Sequence, residues 1–121
     1  MLPKTHRLTK KKEFQKVFQK GAVIRNDFLI LKTLKNRLGK SRFGFIVNKK
    51  ISRRSVERNK VKRLLRKAVF DNFKKIKSPQ DVVIIALPKI KEKSFFEIEE
   101  TINKIFINTN KSSFKNNKTV Q

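Results

Sequence analysis

The chain has 121 residues, with 33 Lys and Arg against nine Asp and Glu and a formal net charge of +24. That length suits one hydrophobic core and not two. The absence of Cys excludes disulfides and thiolate metal sites, and no run of about 18 apolar residues is present to cross a membrane. Eleven Phe and several Ile and Val clusters argue for a folded core although 35% of residues are charged.

Self-repulsion on this scale is tolerated most easily beside a polyanion, so the composition points to strong, salt-dependent phosphate binding. Residues 1–12 lack the apolar region of a signal peptide. A soluble, cytoplasmic protein with no membrane partner is the expectation.

In chain order, residues 1–8 read as an extended basic arm. Thr9 is placed to cap a short helix that carries Phe14, Val17 and Phe18 on one face and stops at Gly21. Residues 22–34 read as strand, interrupted near Asn26-Asp27 and resuming at Phe28–Leu34. After the loop 35–41, Arg42–Asn48 alternates apolar and polar with period two and reads as a strand antiparallel to its predecessor. Ser55 is placed to cap a basic helix with Glu57 near its positive end, running to about Lys77, where Ser78-Pro79 stops it. The continuous apolar run 81–87 predicts a strand covered on both faces. Ser94 and Glu97 form a capping box for a last helix with Ile98, Ile102, Ile105 and Phe106 on one stripe. From Thr109 the chain is polar and reads as a flexible tail. The predicted order is α-β-β-α-β-α in one domain over 1–121, an α+β fold built as a two-layer α/β sandwich.

The basic helix carries most of the functional information. Ten of the 19 residues in 49–67 are Lys or Arg, and Glu57 alone opposes them. At 100° per residue, Val61, Leu64, Leu65, Ala68, Val69, Asn72 and Ile76 fall in one arc suited to pack on a sheet. Asn59, Arg63, Arg66, Lys67, Lys74 and Lys77 fall opposite, together with Phe70. Arg58 and Lys62 lie nearer the boundary, where long side chains reach outward. Helices that are merely soluble intersperse acids at i, i+4; this one has only Glu57 and Asp71 within it. An Arg fork holds two phosphate oxygens or stacks on a base. The reading is an RNA- or DNA-binding face.

The segment SRRSVERNKVKRLLRKAVF resembles the signature helix, or RNR motif, of the bacterial ribonuclease P protein subunit family. KKEFQKVFQKG (11–21) is similar to that family's first helix, RFGFIVNKKIS (42–52) to its strand leading into the motif, and DVVIIAL to its last central strand. The resemblance covers roughly residues 4–107 in order. It implies a fold like ribosomal protein S5 domain 2, with a left-handed βαβ crossover, and a protein that binds a catalytic RNA and the 5′ leader of precursor tRNA. By that resemblance Arg58, Asn59, Lys62, Arg63 and Arg66 contact the catalytic RNA, with Lys60, Lys67, Lys49, Lys50, Arg53 and Arg54 as further candidates. Lys60 stands where the family commonly has its second Arg. Phe14 and Phe18, with Lys16, would line the leader-binding cleft, although i, i+4 spacing alone more often marks core packing than a stacking platform. The family also implies one monomeric protein per catalytic RNA, with chemistry carried by that RNA and its Mg²⁺ ions.

Protein-only phosphodiester cleavage needs metal-binding carboxylates or an acid–base pair. None of the nine acids forms a metal-ligand pattern, and His6 is the only His. No catalytic residue is therefore assigned to the chain. A ribosomal-type or chaperone RNA-binding protein shares its charge and size and is the alternative. A helix-turn-helix DNA binder is disfavoured because a long helix leads directly into an apolar strand.

Overall fold

The computed structural model describes residues 3–109. Helix α1 spans Lys11–Lys20, followed by strands β1 (Ala22–Arg25), β2 (Leu29–Lys35) and β3 (Arg42–Ile46). Helix α2 (Ser55–Asn72), strand β4 (Gln80–Ala86) and helix α3 (Phe95–Asn108) complete the chain, with short 3₁₀ turns at Lys4–His6, Phe73–Lys75 and Pro88–Glu92. This is the expected α+β class.

One sheet holds all four strands in the order β1-β2-β4-β3. Residues 22–34, expected as one interrupted strand, form a hairpin. Asn26 makes its turn: the side-chain oxygen accepts from the backbone N–H of Phe28 (2.9 Å) and Leu29 (2.8 Å), an Asx turn that reverses the chain. The second correction concerns β3. It does not pair with its predecessor β2; it runs parallel to β4, from Arg42↔Asp81 to Ile46↔Ile85. Strand β4 is antiparallel to β2 on its other side. Its unbroken apolar run is buried along nearly its whole length, so it takes the central place, and α2 becomes the connection of a parallel β3-α2-β4 unit.

Alternation along the strands divides the sheet into two faces. Leu29, Leu31, Phe43, Val82, Ile84 and Ala86 join Val61, Leu65, Ala68 and Val69 of α2 and Ile98, Ile102 and Phe106 of α3 in one core. The apolar arcs predicted for both helices are the faces they bury, and the Ser94–Glu97 capping box is present. The basic helix ends earlier than expected: Asn72, buried, turns its amide back to the Ala68 carbonyl (2.8 Å), and a 3₁₀ turn follows.

Helix α1 packs on the other face, so the helices do not form a single layer. Phe14 lies over Gly44, where a Cβ would meet the ring at 2.4 Å, and Val17 is fully buried. Gly21 ends α1 without adopting the left-handed conformation (φ −78°). It is required for space, since a Cβ would stand 2.5 Å from the Val17 carbonyl oxygen. The residue capping α1 is Lys10, not Thr9, and Glu13 accepts from both backbone N–H groups (3.0 and 3.2 Å). Residues 3–8 do not extend freely. After a 3₁₀ turn, Arg7 bridges Phe43 and buried Leu8 donates to the Phe43 carbonyl (2.8 Å). Thr109 is buried; the rest of the expected tail lies outside the described residues.

Arg42 ties α1 to the sheet. Its fork donates to both Asp81 oxygens (2.9 and 2.7 Å) and to Glu13 Oε2 (2.5 Å), and Asn36 Nδ2 gives Asp81 a third bond (2.8 Å). Arg42→Ala should destabilise by about 3–5 kcal/mol, because it leaves the largely buried Asp81 carboxylate without its countercharge; denaturant unfolding measures this. Burial works to raise the Glu13 carboxyl, but bonds from Lys10, Thr9 and Arg42 outweigh it and hold the group below its ordinary 4.5. A depressed carboxyl contributes stability that is present above that value and lost as pH falls through the folded-state value. The stability gap between wild type and Glu13→Gln should therefore shrink below about pH 4.5, and a gap constant down to acid pH would contradict this.

Candidate nucleic-acid interface

The loop after β3 and the first turns of α2 form one rigid cationic corner. Ile51 is buried and pins the loop to the core, while Asn48 turns it by accepting from Lys50 N–H (2.9 Å). Ser52 donates to Glu57 (2.5 Å) and accepts from Arg54 N–H (3.1 Å). Arg58 Nη1 donates to the carbonyls of Ser52 and Arg53, both at 2.9 Å. Arg58 therefore holds the loop's backbone as well as adding charge. The Ser52 bond, aided by Lys91 and Arg54, keeps the Glu57 carboxyl below its ordinary range, so it stays an anion committed to the loop.

Beyond this corner the exposed side of α2 carries Asn59, Lys60 and Arg63, with Lys62 and Arg66 half-buried at its flank. These five side chains make no hydrogen bond or ion pair with the described residues. Lys67 is partly committed, to Asp71 at 3.4 Å and to the Phe95 ring at 5.7 Å. Lys49, Lys50, Arg53 and Arg54 are exposed on the loop. Asn59, Lys60, Arg63 and Lys67 of α2 and Lys49, Lys50, Arg53 and Arg54 of the loop are thus all exposed, with Arg58, Lys62 and Arg66 half-buried.

Phe14, Lys16 and Phe18 lie apart from them, on α1 across the sheet. Phe14 is half-buried against Gly44; Phe18 is 38% exposed, with Lys32 Nζ 4.9 Å above its ring. Lys16 is exposed. Beside α1 the sheet face is only partly covered. The register aligns Arg25, Ile30, Ile85 and Ile46 across all four strands, the three Ile half-buried and Arg25 exposed. An apolar floor with aromatic and cationic walls suits unpaired bases and their phosphates. Arg25 and Lys32 were not singled out from sequence, because only the strand register shows that they share a face with α1. A further cavity of about 260 Å³ is lined by Arg7, Leu8, Thr9, Phe43, Phe45 and Arg66.

Several acids near these surfaces are engaged by cations. Glu13 and Asp81 are held by Arg42, and Asp27 lies 3.8 Å from Lys89 and 3.9 Å from Lys93. Among the described residues no group of three or more His, Asp and Glu is placed to hold a metal ion, and no helix is long and apolar enough to cross a membrane.

A family model described as Ribonuclease P matches residues 2–110. The chain belongs to the ribonuclease P protein family. The ribonuclease P protein component of Alkaliphilus metalliredigens is 40% identical over 97 residues, covering 80% of this chain and 86% of that protein. That of Syntrophomonas wolfei is 39% identical over 100 residues, 83% of each. Among solved structures, the RNase P protein of Staphylococcus aureus superposes with a TM-score of 0.76 at 26% identity, covering 86% of this chain and 94% of that one. The RNase P protein from Thermotoga maritima gives 0.76 at 26% identity, with 84% and 96% covered. The fold is thus that of the solved members of this family.

Within this ribonuclease P protein fold the two Phe of α1 differ in burial, which spacing left open. Phe18→Ala should change stability by less than about 1 kcal/mol, as exposed positions do. Phe14→Ala should destabilise by roughly 2 kcal/mol or more, because it strips the ring from Gly44. Equal thermal shifts for the two variants would refute this division.

Proposed function

We propose that the chain is the protein subunit of a ribonuclease P holoenzyme that binds the catalytic RNA and the 5′ leader of precursor tRNA. It thereby promotes endonucleolytic removal of the leader to give the mature tRNA 5′ end. The observation that carries this reading is the unpaired cationic face of α2 within a ribonuclease P protein fold. Asn59, Lys60, Lys62, Arg63 and Arg66 meet the catalytic RNA, joined by Lys67 and by Lys49, Lys50, Arg53 and Arg54 of the loop. Arg58 supports them by fixing the loop backbone. The groove between α1 and the open sheet face takes the leader, with Phe18 and Phe14 as its wall and Lys16 at its edge.

The chemistry belongs to the RNA and the Mg²⁺ ions it holds. Three of the protein's carboxylates are already engaged, Glu13 and Asp81 by Arg42 and Glu57 by Ser52. The chain's contribution is electrostatic and positional. Fixed cations screen repulsion between catalytic RNA and substrate, and grip on the leader favours precursor over product. One monomeric protein per catalytic RNA, in the cytoplasm, completes the proposal.

Leader removal from a precursor tRNA at low Mg²⁺ tests it, with protein alone, bacterial ribonuclease P RNA alone, and both together. Cleavage should be confined to, or much faster in, the combined reaction. Arg63→Ala and Arg66→Ala should each weaken assembly by about 1–3 kcal/mol and lower the salt slope by roughly one. A folded protein that binds RNA without accelerating cleavage would favour the ribosomal-type or chaperone RNA-binding alternative. Activity of the protein alone would overturn the assignment of chemistry to RNA.

A further inference from the structure

Phe70 stands on the cationic side of α2 and is 43% exposed. Arg63 and Arg66 precede it by seven and four residues on the same face, and exposed Lys74 follows four residues later. Asp71, the adjacent acid, is engaged by Lys67. The ring's inner side is anchored. It lies 6.2 Å from Phe73, which is 4.9 Å from the His6 ring and 6.2 Å from Phe43, itself 5.8 Å from Phe106. This row of rings runs from the core to the surface and ends at Phe70.

A single exposed apolar residue is ordinarily unremarkable. Two features separate this one. Its inner side rests against Phe73, and Arg63 and Arg66 on its face make no ion pair with the described residues, which disfavours a neutral or basic protein partner and favours a polyanion. A flat ring among phosphate-binding groups matches the way unpaired RNA bases are held, by stacking on an aromatic face while nearby cations take the backbone.

We propose that Phe70 is a stacking platform for one unpaired base of the partner RNA, with Arg66 and Lys74 on either side meeting the neighbouring phosphates. The inference rests on the RNA-binding reading of α2 and adds a base contact to its phosphate contacts. Because every base offers a π face, the contact is tolerant of sequence but selects unpaired over paired RNA.

The chain contains no Trp and no Tyr, so Phe70→Trp introduces a sole indole whose emission reports this position alone. Addition of bacterial ribonuclease P RNA should quench it. Phe70→Leu keeps an apolar side chain but no π face. It should bind that RNA about tenfold to a hundredfold more weakly, with an unchanged thermal midpoint and an unchanged dependence of affinity on salt. Arg66→Ala, by contrast, should lower the salt dependence. An indole unquenched by RNA that the variant binds, or full affinity of a folded Phe70→Leu, overturns the platform while leaving the RNA-binding face standing. If Arg63→Ala and Arg66→Ala also bind as wild type does, the RNA-binding reading of α2 falls and this inference with it. Should Phe70→Leu fail to fold, the emission of Phe70→Trp decides alone.

Discussion

The arrangement of this fold turns on the Arg42 guanidinium. One fork joins the first helix through Glu13, the third strand through its own backbone, and the central strand through both oxygens of Asp81. A paired and hydrogen-bonded charge is tolerated in a half-buried place, whereas any one of these partners alone would be a penalty. Asn36 completes the set by donating to Asp81 and to the Lys40 carbonyl (3.1 Å), fixing the start of the loop before β3 as well. With α1 held at that end, Phe14 is laid across Gly44 and the row of Ile beside α1 is left open. The groove therefore follows from where the clamp stops, not from a separate set of contacts.

The same pairing sorts charge by sign. Several acids serve structure: Glu13 caps α1, Asp81 holds Arg42, Glu57 braces the loop before α2, and Asp27 at the hairpin turn lies beside Lys89 and Lys93. On α2 Lys67 has Asp71 at i+4, whereas Lys60, Lys62, Arg63 and Arg66 have no acid four residues away in either direction. Salt bridges at the surface contribute little to stability, so the fold gains little from balancing that face and loses little by leaving it cationic. Its self-repulsion is a standing cost that a polyanion removes on contact.

Helical periodicity made α2 and α3 legible, because a packed face repeats every 3.6 residues and the sequence displays that repeat without reference to the rest of the chain. Val61, Leu65, Ala68 and Val69 bury as their spacing requires. The Lys and Arg of the opposite face were legible for the same reason. Strand pairing was not. Nothing local in Arg42–Ile46 distinguishes an antiparallel neighbour from a parallel one, and the decision comes from β4, which needs a strand on each side. The turn at Asn26 was visible as an interruption but not as a reversal, since its Asx bonds depend on geometry two and three residues away. The shared face of Arg25, Lys32, Phe18 and the three Ile exists only through register across four strands, which no single segment encodes. Arg58 shows the remaining gap: its type and position match the motif, but the bracing bonds it also makes to the Ser52 and Arg53 carbonyls are visible only in the structure.

The two surfaces lie on opposite faces of the sheet, and the loop 47–54 is the chain that passes between them. It leaves β3 next to Ile46 on the groove floor and enters α2 at Ser55, with Ile51 buried at its midpoint. Its cations are thus held at a fixed corner by a packed side chain, two Asn and Ser turns and the Arg58 brace. A loop whose backbone is already braced has less ordering left to lose when phosphate arrives, which is the advantage of a preorganised site. A mobile basic tail would supply equal charge but would have to be ordered on each encounter. A domain with one small core gains more by bracing the loop than by adding charge to it.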